Sequence, residues 1–353
     1  MYMLTLRRLR SPLVLATALS ATVVAVAAVA LAAPAHADPP PTTRVSAVTT
    51  VGVHNTYEPG TYAYLAQALD ARPGLIELDV WADVFTREWK VSHSSPWSNA
   101  NNCVAATTAA GLYSGGRNKN LEYCLDDIRL WLGAHPQAGP LYLKLELKAG
   151  FSGRTNQGPA QLDAAIASHL GAAVFKPADL LGGYPSLDAA ARANAWPTRQ
   201  QLAGKVIIEV IPGTVEEGNP SDTLRTDVEY ARYLVGLSAA GTLSRAQIFP
   251  AVHNAQSGDP RLRYTETNLR PWFVAFDGDA NTYVTSGIDT SWYDTNHYLL
   301  VMTDAQNVAP VVANTDAAAA HARVIALAAR HASVASADWA PLPDVLDDVV
   351  ARG

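Results

Sequence analysis

The chain has 353 residues, 49% hydrophobic and 16% charged, with a formal net charge of −6 at neutral pH. That much apolar sequence supports one large buried core, while the acidic balance argues against nucleic acid as a partner and against docking on anionic lipid by charge alone. Only two cysteines are present, Cys103 and Cys124. So close in sequence, they most simply form one disulfide in an oxidising compartment, worth about 3 kcal/mol in the chain-entropy picture.

In chain order, Arg7, Arg8 and Arg10 come first, followed by an apolar run that ends at Ala35-His36-Ala37. A basic start, a hydrophobic centre and an A-x-A end read as a secretory signal peptide. The Pro-rich stretch DPPPTT behind it favours cleavage over a retained anchor. Removing this leader, with its three arginines and no acid, leaves 316 of the 353 residues and takes the charge from −6 to −9. Residues 1–37 are therefore expected to be a cleaved leader, and residues 38–353 a secreted, extracellular domain. No later run is apolar enough to span a membrane.

Strand-like runs follow at 46–53, 74–81, 89–93, 141–147, 205–211, 248–253, 272–277 and 298–303. Helical periodicity lies between or after them at 63–71, 121–135, 159–171, 224–238 and 316–332. Strands alternating with helices predict an α/β fold, here a single-domain (β/α)8 barrel of the TIM type. The link from 74–81 to 89–93 is too short for a helix, so the barrel is expected to be irregular there.

In such a barrel the chemistry sits where strands end and βα loops begin. The strand ends here carry His54 and Asn55, Glu77 and Asp79, His93, Glu146 and Lys148, Glu209, His253, Asp277 and Asp304. Glu77 and Asp79 are two apart, so both side chains face the same way; Lys144, Glu146 and Lys148 share that spacing. Like charges about 4 Å apart cost on the order of 4 kcal/mol at an effective dielectric near 20. Three converging carboxylates therefore need a metal ion, or Lys144 and Lys148, to neutralise them. Carboxylates with the Asn55 amide oxygen make a hard, all-oxygen ligand set that suits Ca2+ or Mg2+ better than zinc. His54 and His93 are better used for general acid–base work. Alone, E-x-D on a strand describes a solvated face and a strand-end histidine a structural one. Their co-occurrence at four successive strand ends describes a site.

The ordered segments VGVHNTYE, LIELDVW, WKVSHS, the NNC…NLEYCLDDIRLWL cysteine pair, LKLELK and LAGKVIIEVIPGT resemble the Ca2+-dependent phosphatidylinositol-specific phospholipases C of Streptomyces and related bacteria. The resemblance covers nearly all of the chain after the leader. It implies a catalytic His54 beside the Ca2+ ligand Asn55, further ligands Glu77, Asp79 and Glu146, and a second catalytic histidine, His93. It also implies a chemistry in which an inositol hydroxyl attacks the phosphodiester from within the substrate, giving diacylglycerol and a cyclic inositol phosphate. Lys148, Glu209, His253 and Asp277 are candidates for binding the substrate's hydroxyls. Trp97 and the pair Trp292-Tyr293 are candidates for resting on a membrane interface, with burial in loop packing as the equal alternative. The expected partner is phosphatidylinositol at a membrane surface, met by a monomer. A glycerophosphodiester phosphodiesterase would carry Arg after the first histidine and Asp after the second, where this chain has Asn55 and Ser94. A catalytically inactive lipid- or glycan-binding barrel would have lost a histidine, and both are present.

Overall fold

In the segment Leu141–Leu147 leucines alternate with Tyr142, Lys144 and Glu146, and this alternation decides which way the charges point. In a sheet covered by helices, the apolar set packs outward against them and the other set turns inward. The computed structural model describes residues 38–353 and shows that arrangement; the expected leader lies outside the described residues.

Eight parallel strands close on themselves: β1 (Val48–Val53), β2 (Leu75–Ala82), β3 (Leu141–Leu147), β4 (Val206–Pro212), β5 (Phe249–His253), β6 (Ala275–Asp279), β7 (Leu299–Thr303) and β8 (Val334–Ala337). β1 pairs with β2 on one side and β8 on the other, so the sheet has no free edge along the barrel. The five predicted helices form as α1 (Leu65–Asp70), α2 (Leu121–Ala134), α3 (Pro159–His169), α4 (Thr226–Ala239) and α5 (Ala317–Ala328). The main apolar core lies between strands and helices, whereas Ile211, Ala251 and Ala275 form a small separate cluster. Among the described residues, no helix is long and apolar enough to cross a membrane.

The strand expected at 89–93 is not a stave of the barrel. Trp89–Val91 turns back antiparallel on the end of β2, with Val91 opposite Val80. A parallel return needs a crossover of a dozen residues or more, and the link here is a tight turn in which Asp83 accepts from the N–H groups of Phe85 and Thr86. The eighth stave is instead β8, whose small residues Val334-Ala335-Ser336-Ala337 carry little strand signal.

The expected disulfide is formed between Cys103 and Cys124 and joins the loop beyond His93 to α2. Its neighbour Asn102 donates its backbone N–H to the Tyr57 carbonyl at 2.9 Å and its side-chain amide to the Thr56 carbonyl at 3.0 Å. Through these bonds the stapled loop grips the turn that carries His54 and Asn55.

Candidate active site

Register stacks the inward charges in two storeys. Glu77 on β2 lies opposite Lys144 on β3, which lies opposite Glu209 on β4; one pleat nearer the mouth, Asp79 lies opposite Glu146. In the lower storey the Lys144 Nζ is 3.0 Å from Asp277 Oδ2 and 3.4 Å from Glu77 Oε1. In the upper storey the Lys148 Nζ is 2.8 Å from Glu146 Oε1 and 3.2 Å from Asp79 Oδ2. Glu77, Asp79, Lys144, Lys148, Glu209 and Asp277 are all buried.

Such crowding has electrostatic consequences. Burial, together with Glu146 and Glu77, pushes the Asp79 carboxyl up to about 7. Burial and the charge of Asp277 raise Glu209 well above the usual carboxylate range. Burial works against the Lys144 ammonium, but Asp277, Glu77 and Glu209 outweigh it and keep Lys144 charged. Backbone shape helps to hold the upper storey. The N–H of Thr214 donates to Glu146 Oε1 at 3.0 Å. Gly213 makes that approach possible, because a Cβ there would come within 2.4 Å of the Lys148 Cα.

The turn after β1 presents the two residues with which the strand ends. Asn55 adopts a left-handed conformation, φ 49°, which asparagine tolerates better than most residues. Its Oδ1 accepts from the Tyr57 hydroxyl at 3.1 Å, and that hydroxyl lies 3.4 Å from His93 Nδ1. His93 Nδ1 is 3.5 Å from Asp79 Oδ2. His54 Nδ1 lies 3.0 Å from Asp338 Oδ1, and Gln306 donates to the other Asp338 oxygen at 3.0 Å. Burial disfavours a charged His54, but the hydrogen bond to Asp338 and the charge of Glu77 prevail and raise it to about 9.

His54, Asn55, Glu77, Asp79, His93 and Glu146 therefore meet at one mouth of the barrel, joined by Tyr57. Asp338 and Tyr57 are additions to the sequence expectation. Asp338 follows the weak strand β8 and belongs to no motif, so nothing near it in sequence marks it out. Tyr57 lies within the quoted turn and could have been found by asking what orients Asn55.

The remaining rim residues divide. His253 Nδ1 is 3.0 Å from Asp277 Oδ1 and the ring remains partly accessible. Glu209 and Asp277 lie in the lower storey with Lys144, and Lys148 is engaged by Asp79 and Glu146. Asp304 stands beside His54 and Asp338, its carboxylate within hydrogen-bond range of Gln306 at 3.3 Å. Trp97 is exposed and packs at a tilt of 45° against exposed Phe85, with ring centroids 5.1 Å apart. Trp292 and Tyr293 do not share that exposure: Tyr293 is fully buried, and Trp292 packs against Phe276 and Tyr298. Their aromatic neighbours decide between the two readings in favour of packing.

Residues 112–220 match the family described as phosphoinositide phospholipase C, Ca2+-dependent. The chain is 54% identical to a Ca2+-dependent phosphatidylinositol-specific phospholipase C from Streptomyces antibioticus, over 88% of this chain and 99% of that one, with a TM-score of 0.86. The chain belongs to the Ca2+-dependent phosphatidylinositol-specific phospholipase C family. A calcium-dependent phosphoinositol-specific phospholipase C from Pseudomonas sp shares the fold at 18% identity, with a TM-score of 0.67 over 89% of this chain and 98% of that one. A search among curated proteins finds no match.

The residues present fit the family's ion. Carboxylate oxygens of Glu77, Asp79 and Glu146 lie within 4.8 Å of one another, and Glu77 Oε2 and Asp79 Oδ1 are buried without a hydrogen-bond partner. Unpaired buried oxygens are costly unless a cation takes them up. The raised Asp79 carboxyl makes that cost pH-dependent. Folding raises it from about 3.9 in the unfolded chain to about 7. Its contribution to stability is thus present below the unfolded value and lost as pH rises through the folded one. Ca2+ restores what is lost and competes with the proton. Thermal unfolding with Ca2+ and with chelator should show a Ca2+-dependent gain that grows from pH 5 to pH 8; a gain independent of pH would contradict the assignment of Asp79 to the ion.

Proposed function

We propose that the chain is a secreted phospholipase C that cleaves phosphatidylinositol to diacylglycerol and a cyclic inositol phosphate, using two histidines beside a Ca2+ site. The observation that carries this reading is the convergence of His54 and His93 on the cluster of buried Glu77 and Asp79 with partly buried Glu146. All of these groups come from one chain, which is consistent with a monomer.

Glu77, Asp79, Glu146 and Asn55 would hold Ca2+, which would supply positive charge to offset the negative charge that develops on the phosphoryl group. In the ion-free protein the raised His54 carries a proton. A cation at Glu77 would offset the charge that helps to raise it, and the neutral ring, fixed through Nδ1 by Asp338, then offers Nε2 to the inositol hydroxyl and takes its proton as the oxygen bonds to phosphorus. Asp338 orients the ring and stabilises the imidazolium that forms. His93 gives its proton to the glycerol oxygen as that P–O bond breaks, and diacylglycerol leaves neutral. Attack from within the substrate removes most of the entropic cost of bringing in a nucleophile. When water opens the cyclic product, His93 takes the water's proton and His54 returns its own to the inositol oxygen. His253, backed by Asp277, meets the headgroup's hydroxyls, while Glu209 acts from beneath through Lys144.

The lipid must reach this mouth from a bilayer. Val84, Phe85, Trp97, Val215, Leu262 and Val311 are exposed, and each lies in a segment leaving the C-terminal end of a stave. Exposed apolar side chains on the rim that carries a site favour an interaction surface, here a lipid surface entered by the contacting Phe85–Trp97 pair. Secretion is supported by the leader and by a disulfide that would be rare in a reducing compartment. N-terminal sequencing of exported protein should begin at Asp38; a sequence beginning upstream of it would contradict cleavage there.

Release of water-soluble inositol phosphate from phosphatidylinositol should require Ca2+ and stop with chelator. His54→Ala and His93→Ala should each lower kcat by about 10² to 10⁴. Turnover of glycerophosphocholine in place of phosphatidylinositol would overturn the substrate assignment. Phe85→Ser/Trp97→Ser should lower activity on vesicles by about 10-fold or more, with activity on short-chain, non-aggregated phosphatidylinositol retained. Equal loss on both substrates would remove these two rings from membrane docking.

A further inference from the structure

The two barrel lysines neutralise different groups. Lys144 is shared among the carboxylates of the lower storey, Asp277 at 3.0 Å and Glu77 at 3.4 Å. Lys148 has no such company. Its Nζ contacts Glu146 Oε1 at 2.8 Å and Asp79 Oδ2 at 3.2 Å, and both partners belong to the carboxylate cluster assigned to Ca2+. The side chain is buried, with 5% of the residue exposed. A neutral side chain of similar length would fill the same space, so the packing alone does not call for a cation.

An ammonium at this position acts on the same oxygens that bind the ion. It offsets their mutual repulsion, which lets buried Asp79 and partly buried Glu146 stay side by side when no ion is present. It also opposes a divalent cation approaching those oxygens, and in a buried site this opposition is weakly screened. The affinity of an oxygen-ligand Ca2+ site is set by its net ligand charge and its rigidity. Lys148 lowers the first and contributes to the second.

We propose that Lys148 is a built-in competitor of Ca2+ that holds Asp79 and Glu146 together in the ion-free protein and sets how much Ca2+ is needed to fill the site. The proposal rests on the Ca2+ reading of the Glu77, Asp79 and Glu146 cluster and assigns Lys148 an effect upon it that a packing role would not produce. The same charge helps to keep Glu146 ionised: burial raises its carboxyl, and Lys148 together with the Thr214 N–H and Lys144 outweighs this. With Lys148 in place the site fills where Ca2+ is abundant, as outside cells, and remains folded where it is scarce.

The test is Ca2+ binding without substrate, by calorimetry on purified wild type, Lys148→Met and Lys148→Arg, with thermal unfolding in chelator and in excess Ca2+. Lys148→Met should bind Ca2+ about 10-fold tighter or more, melt lower than wild type in chelator, and gain more from Ca2+. Lys148→Arg, which keeps the charge, should bind close to wild type. If Lys148→Met does not fold without Ca2+, its affinity is read by chelator competition from the loaded protein. An affinity unchanged or weaker in Lys148→Met overturns the proposal while leaving the Ca2+ site standing. A wild type that takes up no Ca2+ overturns the site itself, and the proposal with it.

Discussion

The structure depends on an imbalance of charge inside the barrel. Glu77, Asp79, Glu146, Glu209 and Asp277 face inward against Lys144 and Lys148. Isolated buried carboxylates cost several kcal/mol each even after relaxation, so this interior is tolerable only as a network. The lower storey approaches neutrality with Lys144, with Glu209 raised towards its neutral form and with His253 on Asp277. In the upper storey the deficit remains, since Asp79 and Glu146 share one lysine and Asp79 Oδ1 lacks a partner. The excess negative charge is therefore concentrated at the mouth, where a ligand can reach it.

The fold turns this imbalance into geometry. Glu77 and Asp79 stay on one face because β2 alternates. The in-register pairing of β2, β3 and β4 sets Lys144 and Glu146 beside them at fixed heights. A one-residue slip of β3 would put leucines in the barrel and the charges among the helices. The histidines are not in the strands but just beyond them, so they need separate support. His54 takes it from Asp338 across the β8–β1 seam, and its turn is gripped by Asn102 next to the disulfide. Catalytic position thus depends on contacts far apart in sequence, gathered by closure of the barrel.

That distinction explains what was legible in the sequence. Alternation in LIELDVW and LYLKLEL is a local property, and it correctly placed Glu77, Asp79, Lys144 and Glu146 together inside a barrel. The five helices were legible for the same reason. Asp338 was not, because its role comes from the closing pair β8–β1 and its flanking residues are small. The count of eight strands was right, though one member was wrong. Trp89–Val91 has the composition of a stave and β8 does not, and only the length of the β2 link decides between them. Burial of Tyr293 and partial burial of Trp292 were one of two readings left open, because the partners that decide it, Phe276 and Tyr298, lie on other segments.

The irregularity at the second stave is where the proposed function is concentrated. Had the chain after β2 crossed over as a helix, the loop there would have ended far from the mouth. Turning back at once as an antiparallel strand, it delivers His93 to within 3.5 Å of Asp79. The outer end of the same hairpin carries Phe85, and the loop beyond His93 carries Trp97, so the two exposed rings and a histidine share one short, hydrogen-bonded element. An acidic chain gains little from Coulomb attraction to a membrane, and contact must come from apolar side chains losing water. Placing those side chains on the element that also carries a proposed proton donor means that lipid contact and active-site geometry cannot vary independently. The departure from barrel regularity therefore has a physical consequence: it couples the proposed lipid-docking rings to the proposed proton donor.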